Sequence, residues 1–475
     1  MGSASLGFIA FGLCTVLLSN ISRKQGWRRA VLMISTCVFL WLLAPQVRLF
    51  VPIFGFLALG YLCILTQRTG LPKSLRWCVL SIVMVYVWLK QYTGLPSQLF
   101  LRQPYFTLGL SYIIFRVLHL VTEASVQKSK SRHISVGAYL LFILNFTTFV
   151  SGPLQRYDEF AACMFTDDPL PLDRRIIGSQ IERIVRGFFK VNVLGMLFHA
   201  VQTDAFNQLR LPLSGLSHIV DVFLVSVTFP LFLYANFSGY IDIVIALARL
   251  LRIKLPENFD RPFSATSFLD FWSRWHISLS VWLKTYVYNP LLLSMMRRVP
   301  ARSAEPLLGA SAFFITFFLI GIWHGRTSEF LMFGLLQGGG VAVNKLWQVV
   351  LTRQMGRKRY QTLATSPLYA ALARGLTFSW FAFTLFWFWG TWMQVRLVLG
   401  AAPMLIVWAS VWLTATTVLA LWEDLRAIML AIKTEDGPLL IHRYAMVVYA
   451  SLLGLVSLAV VALNQPAPDL VYKAF

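Results

Sequence analysis

The sequence predicts an all-α polytopic membrane protein, and three observations carry this reading. Of 475 residues, 57% are hydrophobic and only 13% are charged, too little polar surface to cover a soluble core of this size. Mean hydropathy is +0.66. Uncharged runs of about 18 residues or more recur along the chain, the length at which a helix crosses a bilayer. The length allows roughly ten to thirteen transmembrane helices and leaves little for a soluble domain. Residues 1–475 therefore read as a single integral-membrane domain.

The excess of 42 basic over 20 acidic residues gives a net charge of +22. In a soluble protein that balance points to nucleic acid. Here no basic stretch is separable from the spans, so the charge belongs to cytoplasmic loops and lipid headgroups, and the bilayer is the partner it implies. Cys14, Cys37, Cys63, Cys78 and Cys163 form no C-x-x-C pair, and four of them sit in apolar runs. They read as packing thiols, neither a disulfide frame nor a zinc site.

Met1–Ser22, Ala30–Val47 and Leu49–Gln67 are uncharged and near spanning length. In the first of these the apolar run precedes its charges (Arg23, Lys24, Arg28 and Arg29), the reverse of a signal peptide, so it reads as a first span with its N-terminus outside. Trp77–Leu89 is short, and Gln103–Thr122 carries Arg116 and His119. Ile134–Gln155 follows a basic loop at 128–132, and 156–182 is polar, a surface loop or interfacial helix. Val185–Val201 holds Arg186 and Lys190 four apart, set to snorkel or to line a polar cavity. Val222–Ile241 is uncharged and Asp242 follows at once, and Pro256 breaks any helix further on. Ile277–Met296, Pro306–Gly325, Phe330–Asn344, Gly375–Val395, Leu397–Trp422 and Tyr444–Pro468 complete the apolar runs. The organisation is N-terminal spans over 1–104, a core over 105–345 and C-terminal spans over 346–475. Charge bookkeeping fails once. The loops at 249–274, 297–302 and 353–359 are all basic, so 258–296 reads as a re-entrant or interfacial element.

That misfit falls on the stretch richest in chemistry, Asp270-Phe271-Trp272-Ser273-Arg274-Trp275-His276-Ile277-Ser278-Leu279-Ser280. Taken as one helix, it puts Trp272, His276 and Ser280 on a single face and pairs Asp270 with Arg274. Burial and a nearby cation both keep an imidazole neutral, as a general base must be. The alternative is a histidine bonded to a carbonyl at a helix end. His324 closes an uncharged run between Trp323 and Gly325, at the turn of a hairpin, where an ionisable side chain is either functional or an interface residue. Gly321 and Gly325 allow close backbone approach there. Gly338-Gly339-Gly340 reads as helix packing. Of the other histidines, His119 faces a possible polar cavity, His133 and His442 read as solvated, and His199 and His218 as interfacial. No metal motif, P-loop, dinucleotide fingerprint or G-x-S-x-G elbow is present.

These residues resemble the membrane-bound O-acyltransferases, in particular the bacterial branch that includes alginate O-acetyltransferase and the teichoic acid D-alanyl transferase. The motifs carrying the resemblance are Ser151-Gly152-Pro153, Phe237-Ser238-Gly239-Tyr240-Ile241-Asp242, Leu255-Pro256-Glu257-Asn258-Phe259, the block from Phe271 to Ser280, Tyr286-Val287-Tyr288-Asn289-Pro290-Leu291 and Trp323-His324-Gly325. The resemblance implies a ring of helices around a thinned core, with funnels from both sides meeting near the histidines. It implies a bacterial inner (plasma) membrane protein without bound cofactor or metal. The acyl donor would be acetyl-CoA or an acyl-carrier-protein thioester, the acceptor a hydroxyl of an envelope polysaccharide, and a periplasmic acyltransferase the partner. By the same resemblance His324 is the catalytic histidine and His276 the second one. Arg274, Trp275, Asn258, Trp323, Ser278 and Tyr288 then bind substrate or donor. Lys284-Thr285 stands where the family often has arginine-aspartate, and Gln337-Gly338 where many members have histidine-glycine. Transfer of D-alanyl or another acyl group to teichoic acid, lipid or protein is the same-fold alternative. A transporter or a non-catalytic assembly subunit are the readings outside it.

Overall fold

The computed structural model describes residues 5–68, 73–101, 103, 105–126, 134–212, 215–431, 433–434, 437–438 and 443–463. His133, His442 and the basic loop at 128–132 lie outside the described residues. The helices in order are α1 (Leu6–Ser19), α2 (Gln25–Leu43), α3 (Val51–Arg68), α4 (Ser74–Lys90), α5 (Leu110–Val126), α6 (Val136–Leu144), α7 (Tyr157–Met164), α8 (Arg174–Phe189), α9 (Met196–Gln208) and α10 (Leu216–Leu250). There follow α11 (Phe268–Arg274), α12 (Ile277–Leu283), α13 (Asn289–Arg298), α14 (Glu305–His324), α15 (Ser328–Met355), α16 (Arg357–Thr365), α17 (Pro367–Thr384), α18 (Phe386–Trp389), α19 (Trp392–Ala401), α20 (Met404–Ala431) and α21 (Arg443–Leu463). The β-structure described is one pair of two-residue strands, Lys433–Thr434 with Gly437–Pro438, and an isolated bridge.

Among the described residues, seven helical stretches are long and apolar enough to cross a membrane: Gln25–Leu43, Val47–Gln67, Arg174–Gln208, Leu216–Leu250, Arg302–His324, Pro367–Trp389 and Met404–Ile428. Leu6–Ser19 and Val447–Leu463 are shorter apolar helices. The chain is an all-α, multi-pass membrane protein. All five cysteines are free; Cys63, Cys78 and Cys163 are buried as packing thiols, whereas Cys14 and Cys37 are exposed on α1 and α2.

The chain divides into two compact units, one drawn mainly from Met1–Gly187 and Tyr240–Pro256, the other from Phe188–Gly239 and Glu257–Pro468. In the first, Phe8, Phe39, Phe146 and Phe149 pack ring against ring. The backbone is irregular after α6, and there Arg116 donates to the carbonyls of Ile143 and Thr148. Irregular backbone away from water survives only when its polar groups are satisfied in this way. Gly152 follows because a Cβ there would strike Thr148. His119 Nε2 accepts the Tyr157 N–H at 3.0 Å at the start of α7.

Two charges in this part of the chain are paired. The apolar run Val222–Ile241 lies inside α10, which continues past Asp242 to Leu250; Arg183 Nε meets the Asp242 carboxylate at 2.9 Å, so the charge is paired rather than left to lipid. Arg186 pairs with Glu182 at 3.0 Å.

The second unit holds the long hairpin of α14 and α15. Small residues set its closeness: a Cβ on Gly321 would strike Gly334, and one on Gly338 would lie 2.6 Å from the Phe314 carbonyl oxygen. Within this unit Lys190–Gly195 widens to a π-helical turn, and the Lys190 ammonium lies 5.9 Å from the Tyr234 ring centroid.

Candidate active site

Beyond Pro256 the chain returns in extended form to residues 274–277. Phe259 forms an antiparallel bridge with Trp275, Asp260 N–H donates to the Arg274 carbonyl at 3.0 Å, and Ile277 N–H donates to the Asn258 carbonyl at 3.0 Å. These bonds engage backbone groups that a continuous helix would use internally. The expected single helix is therefore two: α11 ends at Arg274, α12 begins at Ile277, and His276 between them adopts φ 45°, ψ 51°. Trp272, His276 and Ser280 do not share one helical face. A left-handed backbone at a non-glycine residue is a mark of local strain held by its surroundings.

Asn258 fastens this corner. It is fully buried, and its Oδ1 accepts the Ser278 N–H at 3.0 Å, capping α12. Its Nδ2 finds no hydrogen-bond partner among the described residues. Every other polar function of this side chain and backbone carbonyl is spent on the corner, so the amide N–H2 group is the donor left for a bound molecule.

His276 is 1% exposed, with its ring centroid 5.0 Å from that of Phe237. Burial pushes its pKa down to about 3, so the imidazole is neutral. Arg274 forms the pair its spacing predicts, its guanidinium facing Asp270 at 2.9 Å, with Asp260 at 4.0 Å. Trp275 is enclosed by Tyr234, Phe259, Phe271 and Phe381, which makes it a wall.

His324 is the last residue of α14 and is 3% exposed, enclosed by other side chains. Trp323 lies 4.6 Å away centroid to centroid, Phe388 5.1 Å and Phe333 5.8 Å. The turn after it is tight, since a Cβ on Gly325 would strike the Phe330 ring. Trp392 secures that turn, its indole N–H donating to Ser328 Oγ at 2.8 Å and its backbone N–H to Glu329 at 3.0 Å. Phe333 and Phe388 were not singled out from sequence; the aromatic run Phe386-Trp387-Phe388-Trp389 was the available signal.

A cavity of about 260 Å³ is lined by residues adjoining both histidines: Ile277 follows His276, and Ile320 is one turn before His324. Tyr288 lines it, stacked on Phe313 at 4.2 Å. So does Trp272, whose indole N–H donates to Gln337 Oε1 at 3.2 Å while Gln337 Nε2 donates to Thr384 at 2.8 Å. Gln337 is thus the fully buried middle of a relay, a role its sequence position did not announce. Among the described residues no cluster of three or more His, Cys, Asp or Glu could hold a metal ion.

Several curated proteins are similar to this chain. A teichoic acid D-alanyltransferase of Streptococcus thermophilus is 28% identical over 245 residues, which are 50% of this chain and 57% of that protein. A "probable alginate O-acetylase" of Pseudomonas fluorescens is 26% identical over 270 residues, 57% of this chain and 51% of that protein. A peptidoglycan O-acetyltransferase of Helicobacter pylori is 29% identical over 209 residues, 44% of this chain and 37% of that protein. The chain spans about half the length of these relatives. The model of the MBOAT, membrane-bound O-acyltransferase family, matches residues 49–388, which include both histidines, Asn258 and the helices that hold them. The chain belongs to the membrane-bound O-acyltransferase family.

Proposed function

We propose that this protein is an O-acyltransferase of the bacterial inner membrane. It would move an acetyl group from a cytoplasmic thioester, acetyl-CoA or an acyl-carrier protein, toward a hydroxyl of an exported or cell-envelope polysaccharide, with its N-terminus outside and a periplasmic acyltransferase completing the transfer. The observation that carries the reading is His324, a histidine closing an apolar helix, buried and ringed by Trp323, Phe333 and Phe388. In the proposed step a neutral His324 takes the proton of the attacking hydroxyl, and the new C–O bond forms at the thioester carbonyl. The C–S bond then breaks, and the proton passes to the departing thiolate. The Asn258 amide N–H2 is the proposed donor to a carbonyl or developing oxyanion, and neutral His276 beside it orients that group. Trp275, Trp323, Ser278 and Tyr288 shape the surroundings, and Arg274 holds the α11 end through its carboxylates.

The test uses purified full-length protein in proteoliposomes, with labelled acetyl-CoA and, in parallel, a D-alanyl carrier-protein thioester. Alginate, peptidoglycan fragments and teichoic acid serve as acceptors. Acetyl transfer that disappears in His324→Ala supports the proposal. Full activity in that variant removes His324 as base, and transfer from the D-alanyl donor alone shifts the acyl group.

A further inference from the structure

The 260 Å³ cavity differs in chemistry from the two histidines near it. Trp272, Ile277, Phe313, Phe317 and Ile320 give it apolar walls, with Trp272 packed 4.9 Å from Phe317. Three of the four hydroxyls in its lining, all but the Tyr288 phenol, are turned back onto backbone. Thr316 donates to the Ala312 carbonyl at 2.7 Å, Ser273 to that of Asp270 at 2.7 Å and Ser280 to that of Trp275 at 3.3 Å. Such a wall offers a sugar little beyond the Tyr288 hydroxyl, and an apolar cavity is one that hydrocarbon fills. Its size is below the roughly 300–1,000 Å³ of sites for drug-sized ligands, which suits one narrow chain.

One charge stands at the rim. Lys284 lines the cavity and is exposed, and it makes no ion pair with any other described residue. The following residue is Thr285, whose hydroxyl donates to the Val281 carbonyl at 2.9 Å, so the lysine has no carboxylate beside it in sequence. The Tyr288 ring lies one helical turn further on and also lines the cavity.

We infer that this cavity binds a single alkyl chain of an anionic amphiphile, with the acid group at the Lys284 ammonium. The ligand class is an acid group joined to a hydrocarbon tail, which a free fatty acid and an anionic phospholipid both present. The inference does not depend on the proposed acyl transfer, because it concerns binding and is read without turnover.

The experiment places the full chain in phosphatidylcholine nanodiscs with one of three diazirine-tagged probes: palmitate, phosphatidylglycerol or hexadecanol. After illumination, labelled peptides are mapped by mass spectrometry. An anionic probe is expected to label the stretches 269–288 and 313–320 above the level on the exposed α20. Lys284→Gln, at an exposed position, is expected to cut that labelling about three- to tenfold and to leave hexadecanol labelling unchanged. Val281→Trp, at the exposed rim, is expected to reduce labelling by both classes while elution from size exclusion stays the same. Labelling by palmitate alone identifies a free carboxylate as the ligand; labelling by phosphatidylglycerol alone identifies a phospholipid. Cavity peptides labelled no more than α20, or anionic labelling unchanged in Lys284→Gln, overturns the inference.

Discussion

At the scale of single residues, Asn258 does two jobs with one amide, and substitution separates them. Asn258→Ala removes both the cap on Ser278 and the free N–H2, and is expected to cost about 0.5–2 kcal/mol, read as a lower melting temperature in detergent. Asn258→Asp keeps an acceptor facing the start of α12 and removes the donor, so it should melt above the alanine variant yet transfer acyl groups no better. If the aspartate variant is fully active, the free N–H2 is irrelevant to the chemistry. His324→Ala should lower turnover by about 10²–10⁴-fold with little change in KM, the range of a lost general base. His276 carries a pH signature. Its pKa falls from about 6.5 unfolded to about 3 folded, so the unfolded chain binds more protons between those values. The stability it contributes is complete above about pH 6.5 and is lost as pH falls toward 3. The melting temperature of the wild type should therefore drop more steeply between pH 7 and pH 5 than that of His276→Gln; equal slopes would refute a buried neutral imidazole. Both histidines and the Asp270–Arg274 pair were legible in the sequence, since charged and imidazole groups stand out in apolar surroundings. The Asn258 cap was not, because its partner lies 20 residues away.

At the scale of elements, apolar runs translate well into helices because hydrophobicity and length are local properties. The α14–α15 hairpin and its glycine contacts were readable for that reason. The broken helix at residues 275–276 was not: helical spacing is local, whereas the bridge to Phe259 that interrupts it is not. Glycine positions on α14 and α15 make the packing testable. Gly321→Leu forces a side chain into Gly334 and should destabilise by about 1–3 kcal/mol. Gly339→Ala meets nothing within 4 Å and should stabilise α15 by up to about 1 kcal/mol. Melting curves of the two variants should move in opposite directions, and a shared direction would contradict the close crossing.

At the scale of the whole molecule, composition alone placed the chain in a membrane, and the hairpin resolves part of the charge misfit. Arg297, Arg298 and Arg302 precede α14, and Arg353, Arg357, Lys358 and Arg359 follow Gln348 near the end of α15 and beyond. Two antiparallel helices joined by a three-residue turn return the chain to the side it left, so both basic clusters share one face. The helix from Ile277 to Arg298, interrupted by the π-helical turn Lys284–Tyr288, is not among the seven candidate spans, in keeping with a re-entrant or interfacial segment. With the five native cysteines replaced by alanine, Arg298→Cys and Arg357→Cys should react with an impermeant maleimide from the same side of sealed vesicles. Reaction from opposite sides would dismantle the hairpin topology.

The positive φ of His276 has an evolutionary consequence. The position imposes two separate demands, a backbone few side chains tolerate and a ring that only histidine supplies. A saturation library scored for folding alone should enrich glycine and asparagine at 276, since these enter the left-handed region most readily, and deplete valine and isoleucine. Scored for acyl transfer, the same library should return histidine. The gap between the two rankings measures how far selection has held this residue for its chemistry against an easier backbone.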